Sequence, residues 1–352
     1  MWNKLKYILA PIAIIYGIIV KIRNLMFDYK ILRSVSFNKP VICVGNITVG
    51  GTGKTPHVEY LLKLFSPSFN VATLSRGYGR KTRDFGYVKA TSNANEVGDE
   101  PLQMKLKYPL VQVTVDVDRV NGISLLIDEN PDLDLIILDD AYQHRWVKPG
   151  LLVLLIDFNQ RITRDSFLPM GRLRDSVKEK RRADIVLVTK CPVDLSQEQK
   201  ASISNELMLN PNQSIYFTTM IYGEPIPVFK EFGKSFELNK SQVVFAFAGI
   251  ANPTFFFSYI DNKAKLIESY TFPDHFTFTK NKIYPIFESY LKNGALGKAI
   301  FTTEKDAARL RGIASLDEEF KKAIFYIPIE VKFLDNQENN FNKQILTYAR
   351  KN

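Results

Sequence analysis

The sequence predicts an α/β protein: a doubly wound, mostly parallel sheet, then a second, smaller α/β domain, with an apolar helix ahead of both. Three observations carry this. Short apolar runs recur at 40–45, 70–74, 110–115, 134–138, 151–156 and 184–189. Several lie far enough apart for crossover helices, and continuous runs of this length fit strands buried on both faces. A glycine-rich loop joins the first run to a helical pattern, and near residue 215 the texture changes before buried-strand runs resume. A length of 352 residues also suits more than one domain.

The first segment is 1–36. Within it Ile8–Val20 (ILAPIAIIYGIIV) is an apolar run of 13 residues between Lys4 and Lys6 on one side and Lys21 and Arg23 on the other. A spanning helix needs about 20 residues, so the run is too short to cross a bilayer comfortably. No small-residue cleavage site follows it, which argues against an exported signal peptide. A helix buried against the core and a helix lying in a membrane interface both stay open on these residues alone.

The second segment, 37–215, holds the strongest chemical signal. Residues 41–55 read VICVGNITVGGTGKT: an apolar strand, a glycine-rich loop, and the start of a helix. Gly50, Gly51 and Gly53 let the backbone curl around phosphate oxygens, with the N–H groups of Thr48, Val49 and Thr52 in the same loop. The helix start adds its positive end. Lys54 can reach the β- and γ-phosphates, and the Thr55 hydroxyl can hold Mg²⁺. The strict pattern of such a P-loop has glycine where this chain has Thr48. Residues 135–140 read LIILDD, a strand ending in two carboxylates. A strand-end Asp supplies the second magnesium contact in this fold, with Asp139 the first choice and Asp140 the second. The run at 151–156 follows so closely that a loop joins it, and 184–189 completes the set.

The third segment is 216–352. Residues 214–229 (SIYFTTMIYGEPIPVF) read as two extended stretches around Gly223-Glu224-Pro225, a β linker or hairpin. Strand-like runs follow at 243–248, 299–303 and 324–331, with helical stretches at 253–260 and 282–292.

Composition narrows the function. The chain is 45% hydrophobic and 24% charged, with 18 Gly and 17 Pro, so it is neither disordered nor of low complexity. The net charge of +10 resides in two places. Residues 1–36 carry six basic side chains against Asp28, and residues 161–182 carry eight against Asp165, Asp175 and Glu179. The remainder is balanced. A protein tracking a nucleic-acid backbone would show a broader basic stripe, so an anionic lipid or phosphorylated substrate fits better. The second basic segment could face such a group or could be a solvated loop. Cys43 and Cys191 form no CxxC, and with only His57, His144 and His275 there is no Cys/His cluster for zinc. This usage suits a reducing, cytosolic compartment.

Two common nucleotide machines are disfavoured. Thr189-Lys190-Cys191-Pro192 lacks the Asn and Asp of a guanine-reading segment, and Val49 stands where a deviant membrane-partitioning ATPase carries Lys. The chain instead resembles the tetraacyldisaccharide 4′-kinases of lipid A biosynthesis. The resemblance runs over most of the chain, through GNITVGGTGKTP (45–56), LSRGYGR (74–80), VGDEP (97–101), LDDAYQHR (138–145), LPMGRLR (168–174), FAGIANP (247–253), FPDHF (272–276) and TTEKDA (302–307). Thr48 is typical of that family. Ala141-Tyr142 stands where Gly-Phe is more usual and Asp175 where Glu is more usual; neither change removes a candidate ligand.

The resemblance implies a kinase that moves the γ-phosphoryl of ATP, with Mg²⁺, onto the 4′-hydroxyl of an acylated glucosamine disaccharide 1-phosphate. It implies a peripheral place on the cytoplasmic face of the inner membrane, and therefore an interfacial role for the N-terminal helix against an anionic surface. A monomer is favoured and no nucleic-acid partner is expected. The family pairs the Asp of GDEP with the His of the DHF motif, which carries onto Asp99 as base and His275 as its partner. Arg76 and Tyr78, in a turn after a strand, are expected at the substrate edge, with Arg119, Gln143 and His144 as weaker candidates. The competing reading is a membrane-attached P-loop ATPase switch that binds protein partners.

Overall fold

The structure, a computed structural model, describes residues 8–233, 235–313 and 315–351. Lys4 and Lys6 lie outside the described residues. The first helix, α1 (Ala10–Asp28), begins with Pro11 in its first turn, where a missing N–H costs nothing. It runs well past Val20, because KIRNLMFD continues the helical spacing of apolar positions. Ala13, Gly17, Val20, Asn24 and Phe27 form one buried stripe at intervals of three and four. The expectation of a run too short to span is thereby corrected: the helix has 19 residues and is long and apolar enough to cross a membrane by length and composition.

The chain continues through β1 (Val41–Gly45), α2 (Lys54–Phe65), β2 (Val71–Ser75), β3 (Gly86–Tyr87), α3 (Ala94–Val97), α4 (Asp99–Lys107), β4 (Gln112–Val115), α5 (Arg119–Glu129), β5 (Leu135–Asp139), β6 (Leu151–Asp157), β7 (Ile185–Thr189), α6 (Gln197–Leu207) and β8 (Ser214–Tyr222). The second half adds β9 (Ile226–Pro227), β10 (Val243–Ala248), α7 (Thr254–Lys263), β11 (Lys265–Thr271), α8 (Lys280–Lys292), β12 (Lys298–Thr303), α9 (Glu304–Leu310), α10 (Glu318–Ala323), β13 (Ile324–Ile327), β14 (Ile329–Phe333) and α11 (Glu338–Lys351).

The strands form two sheets. The larger has nine, in the order β14-β8-β7-β6-β1-β5-β2-β4-β3. Its centre is parallel, with β1 between β5 and β6 and Val44 opposite Asp139. Successive residues of β1 feed opposite faces. Val41 and Cys43 enter one core with Ile136 and Leu138, while Ile42 and Val44 enter the other with Leu135 and Ile137. This double burial explains why the central strands read as unbroken apolar runs. The smaller sheet runs β11-β10-β12-β13-β9, parallel except for β9.

The stretch 214–229 is a linker and not a hairpin: β8 pairs with β7 and β14, whereas β9 pairs with β13. Gly223–Pro225 therefore carries the chain from one sheet to the other. The run 324–331 likewise divides at Pro328 into strands of different sheets, since proline has no N–H to continue a ladder. Residues from β14 onward lie on the larger sheet and not with the segment that precedes them. Phe341, Ile345 and Ala349 of α11 join its core, and the Tyr348 hydroxyl accepts from the Val41 N–H and donates to the Val41 carbonyl.

Candidate active site

The glycine-rich loop leaves the C-terminal end of β1 at the centre of the larger sheet, where helix N-termini and strand ends converge. Gly50 and Gly53 have φ of 103° and 85°, a region that favours glycine. Gly53 has a second constraint, because a Cβ there would come within 2.3 Å of the Met220 side chain. Gly50 and Gly51 face open space. Thr48 replaces a glycine for a visible reason: it forms a bridge with Leu173, is buried, and its hydroxyl accepts from Asn46 Nδ2. The Val49 N–H donates to Arg172 O at 2.8 Å. The loop is braced from one side by the 166–174 segment and from another by Lys190, which donates to Gly51 O and pairs with Asp157 at 2.9 Å.

Lys54 opens α2, donates to Asn46 Oδ1 at 3.3 Å and lies 3.7 Å from Asp140 Oδ1. The two strand-end carboxylates differ sharply. Asp140, with φ 52°, is gripped by both terminal nitrogens of Arg174. Burial pushes its carboxyl up, but Lys54 and Arg174 outweigh that and hold it below the usual range. Asp139 is buried and its Oδ1 has no hydrogen-bond partner. Burial first, then the charges of Glu100 and Asp140, push its pKa up to about 8. A buried carboxylate oxygen without a partner is costly, and a cation would supply the partner this one lacks. Thr55 follows Lys54 in the same first turn and is half-buried.

The cleft beyond these groups has a volume of about 520 Å³ and is lined by Tyr16 and Arg23 of α1, by Arg76, Tyr78 and Arg119, and by Asp139, Asp140, Gln143, His144 and Arg174. Arg76 and Tyr78 are exposed. Arg119 is buried, with Nη1 donating to Val117 O at 2.6 Å and Nε unpartnered. Gln143 donates to the Asn46 carbonyl, which ties it to the loop. His144 Nε2 is buried without a partner, and burial, then the Arg119 charge, push its pKa down to about 4. The weaker candidates thus share one cleft with Asp139 and Asp140.

Asp99 and His275 are 176 residues apart and meet at 2.7 Å. Asp99 opens α4 behind Gly98, whose φ is 93° and whose Cβ would sit 3.1 Å from Tyr78 O. His275 has φ 58° in the loop after β11. A carboxylate only accepts, so His275 Nδ1 carries the proton and donates to Asp99 Oδ2. The pair lines a second cavity of about 530 Å³ between the two sheets. Tyr78 lines both cavities, with its ring 5.6 Å from that of His275.

Most of the second basic segment is paired and packed, while Lys178 and Arg181 stay exposed. Arg161 and Arg164 pair with Glu206, Arg172 with Asp165, Arg174 with Asp140 and Arg182 with Glu179. It also receives α1. Asn24 Nδ2 donates to Asp175 Oδ1 at 2.7 Å, Arg23 pairs with Asp175, the Tyr16 hydroxyl donates to Arg174 O, and Gly17 abuts the Phe167 ring. Fully buried Asp175 is a structural anchor.

Sequence reasoning missed Asn46, Arg174, Asp306 and Arg309. Three of them stand inside motifs that were visible: Asn46 beside Gly45, Arg174 in LPMGRLR and Asp306 in TTEKDA. Arg309 had no local signal.

Comparison with known proteins gives concordant results. A family model described as tetraacyldisaccharide-1-P 4′-kinase matches residues 5–350. The chain is similar to a tetraacyldisaccharide 4′-kinase of Bacteroides thetaiotaomicron, 44% identical over 98% of this chain and 93% of that one. It is similar to one of Flavobacterium johnsoniae, 44% identical over 99% of both chains. The crystal structure of LpxK from Aquifex aeolicus in complex with ATP superposes with a TM-score of 0.78 at 28% identity, covering 98% of this chain and 99% of that one.

Proposed function

The chain belongs to the tetraacyldisaccharide-1-P 4′-kinase family, and on that premise we infer that it moves the γ-phosphoryl group of ATP onto the 4′-hydroxyl of an acylated glucosamine disaccharide 1-phosphate. The observation that carries this reading is the junction of two half-sites at Tyr78: one cavity lined by Asp139 and Asp140, with Lys54 of the glycine-rich loop 3.7 Å from Asp140, and an adjoining cavity lined by the Asp99–His275 pair.

Phosphoryl transfer asks a protein mainly for positioning and charge stabilisation. Lys54 leaves its contacts with Asn46 and Asp140 for the β- and γ-phosphates, and Arg174 keeps Asp140 neutralised when it does. Bound magnesium supplies positive charge against the phosphate oxygens. Asp139, with its unpartnered buried oxygen, and the Thr55 hydroxyl are the residues that would hold it. Asp99 orients the 4′-hydroxyl and accepts its proton as the new O–P bond forms and the bond from phosphorus to the leaving ADP oxygen breaks. His275 fixes the carboxylate by donating from Nδ1 to Oδ2. Arg76, exposed in the same cleft, is the candidate to meet the substrate, and Arg119, buried beside it, lends the cleft positive charge.

A peripheral place on the cytoplasmic face of the inner membrane accompanies this reading. The outward face of α1 presents Ile12, Ile15, Ile19 and Ile22, each at least half exposed. The same helix contributes Tyr16 and Arg23 to the cleft. An apolar face of this kind enters the acyl boundary, which would bring the lipid headgroup to the site.

The deciding measurement is mass spectrometry of the protein with ATP and a tetraacylated disaccharide 1-phosphate. A product heavier by one phosphoryl group is expected. ATP hydrolysis without that product would overturn the kinase reading in favour of a nucleotide switch.

A further inference from the structure

Asp99 is held by more than His275. Arg309, on α9 beneath the smaller sheet, donates from Nη2 to the same Asp99 Oδ2 at 2.6 Å. Its other terminal nitrogen donates to Asp306 Oδ1 at 2.7 Å and to the Gly249 carbonyl at 3.0 Å. Asp306 is wholly buried, and its second oxygen accepts from the Gly249 N–H at 2.8 Å and from the Thr303 hydroxyl at 2.7 Å. The Arg309 side chain is only 6% exposed. Two motifs without a role in the mechanism so far, FAGIANP and TTEKDA, therefore converge on one guanidinium, and that guanidinium reaches across to the larger sheet. Among the described residues no hydrogen bond reaches Asp99 Oδ1.

We propose that Arg309 is a positioning residue for the phosphoryl transfer: anchored by Asp306 and Gly249, it fixes Asp99 through Oδ2 and leaves Oδ1 for the acceptor hydroxyl. The fork of a guanidinium suits this, since it serves two carboxylates in fixed directions where an ammonium is a single point charge. Position outweighs basicity here, because a loose transition state draws the proton late. The groups around Asp99 are the Arg309 and Lys305 cations and the His275 ring, with Glu100 next in the chain and Asp274 beside both His275 and Lys305. Burial pushes the Asp99 carboxyl up, but Arg309 first and then His275 and Lys305 hold it below the usual carboxylate range. Removing the Arg309 charge must raise it.

This inference rests on Asp99 being the base, and the test separates the two. In Arg309→Gln the expected results are kcat down about ten- to a hundredfold, KM for ATP within about twofold, and the acid limb of kcat moved to higher pH. In Arg309→Lys the charge remains but the fork is lost, so the acid limb stays near its original pH while kcat still falls about tenfold. That variant keeps a cation beside buried Asp306 and carries the test if Arg309→Gln shows no cooperative melting. A lowered kcat with an unmoved acid limb in Arg309→Gln, or wild-type kcat in Arg309→Lys, overturns the positioning role. Asp99→Asn is measured alongside. If it keeps wild-type turnover, the base assignment falls and the inference with it. If it is inactive while Arg309→Gln behaves as wild type, the inference alone falls.

Discussion

Lys54 rests 3.7 Å from Asp140 and 3.3 Å from Asn46, a resting position that leaves a cation ready at the mouth of the loop. Lys54→Ala is expected to lower kcat by about a hundredfold or more in the phosphoryl-transfer assay, and near-normal turnover would refute the loop assignment. Asp99→Ala should leave ATP binding by calorimetry nearly intact while kcat falls at least about tenfold. A third residue governs stability. His57, buried in α2, donates through Nδ1 to Gly53 O at 2.7 Å and accepts through Nε2 from Thr218 at 3.0 Å. Burial pushes its pKa down to about 4, partly offset by Gly53. Between about pH 6.5 and about pH 4 the unfolded chain therefore binds a proton that the folded chain refuses. Stability present above pH 6.5 is lost as pH falls through that window, by up to about 3 kcal/mol. Denaturant titrations of His57→Gln should show a flatter dependence over the same range. The loop was legible because its spacing is local, whereas Asp99 and His275 were reached only through short motifs of the resembled family. Arg309 was not legible, because its meaning lies in a contact 210 positions away in the chain.

At the scale of the element, α1 has two different faces. Its docked stripe meets the 166–175 segment so closely that a Cβ at Gly17 would come within 2.7 Å of the Phe167 ring. Gly17→Leu is expected to cost about 1–3 kcal/mol in chemical denaturation, since the ring has to be displaced. Ile15→Ser with Ile19→Ser changes only the outward face, where these side chains are 58% and 60% exposed. That pair should lower co-sedimentation with anionic phospholipid vesicles without lowering the melting temperature, and unchanged sedimentation would remove the membrane role of this face. The central strands were readable from sequence since both of their faces are buried. β3 and β11 were not. β3 has two residues, too few for any pattern. β11 (KLIESYT) is an edge strand alternating exposed and half-buried positions, which in isolation reads as polar loop.

The whole molecule is joined by charge as well as by chain. Lys107, at the end of the helix that Asp99 begins, pairs with Glu59 of α2 at 2.7 Å and with Glu304 of α9 at 2.9 Å. One ammonium thus links the helix after the glycine-rich loop, the helix that Asp99 opens and the smaller sheet's unit. Glu59 is 3% exposed, so Lys107→Ala strands a buried carboxylate and should lower stability by about 3 kcal/mol in denaturant titration. Such a bridge was invisible in sequence, where the three residues are ordinary helix-surface charges. The return of β14 and α11 to the larger sheet was invisible for a related reason: Pro328 hides a change of sheet inside one apolar run. That return bears on how the protein is made. On the ribosome the nucleotide-binding sheet begins to emerge with β1, yet the β8 edge stays open and Val41 lacks its tyrosine contact until Tyr348 has been synthesised. The smaller sheet, complete by Ile327, is ready first. Trimming the carboxyl end would therefore harm the ATP half of the enzyme, which is encoded mostly by the opposite end of the message.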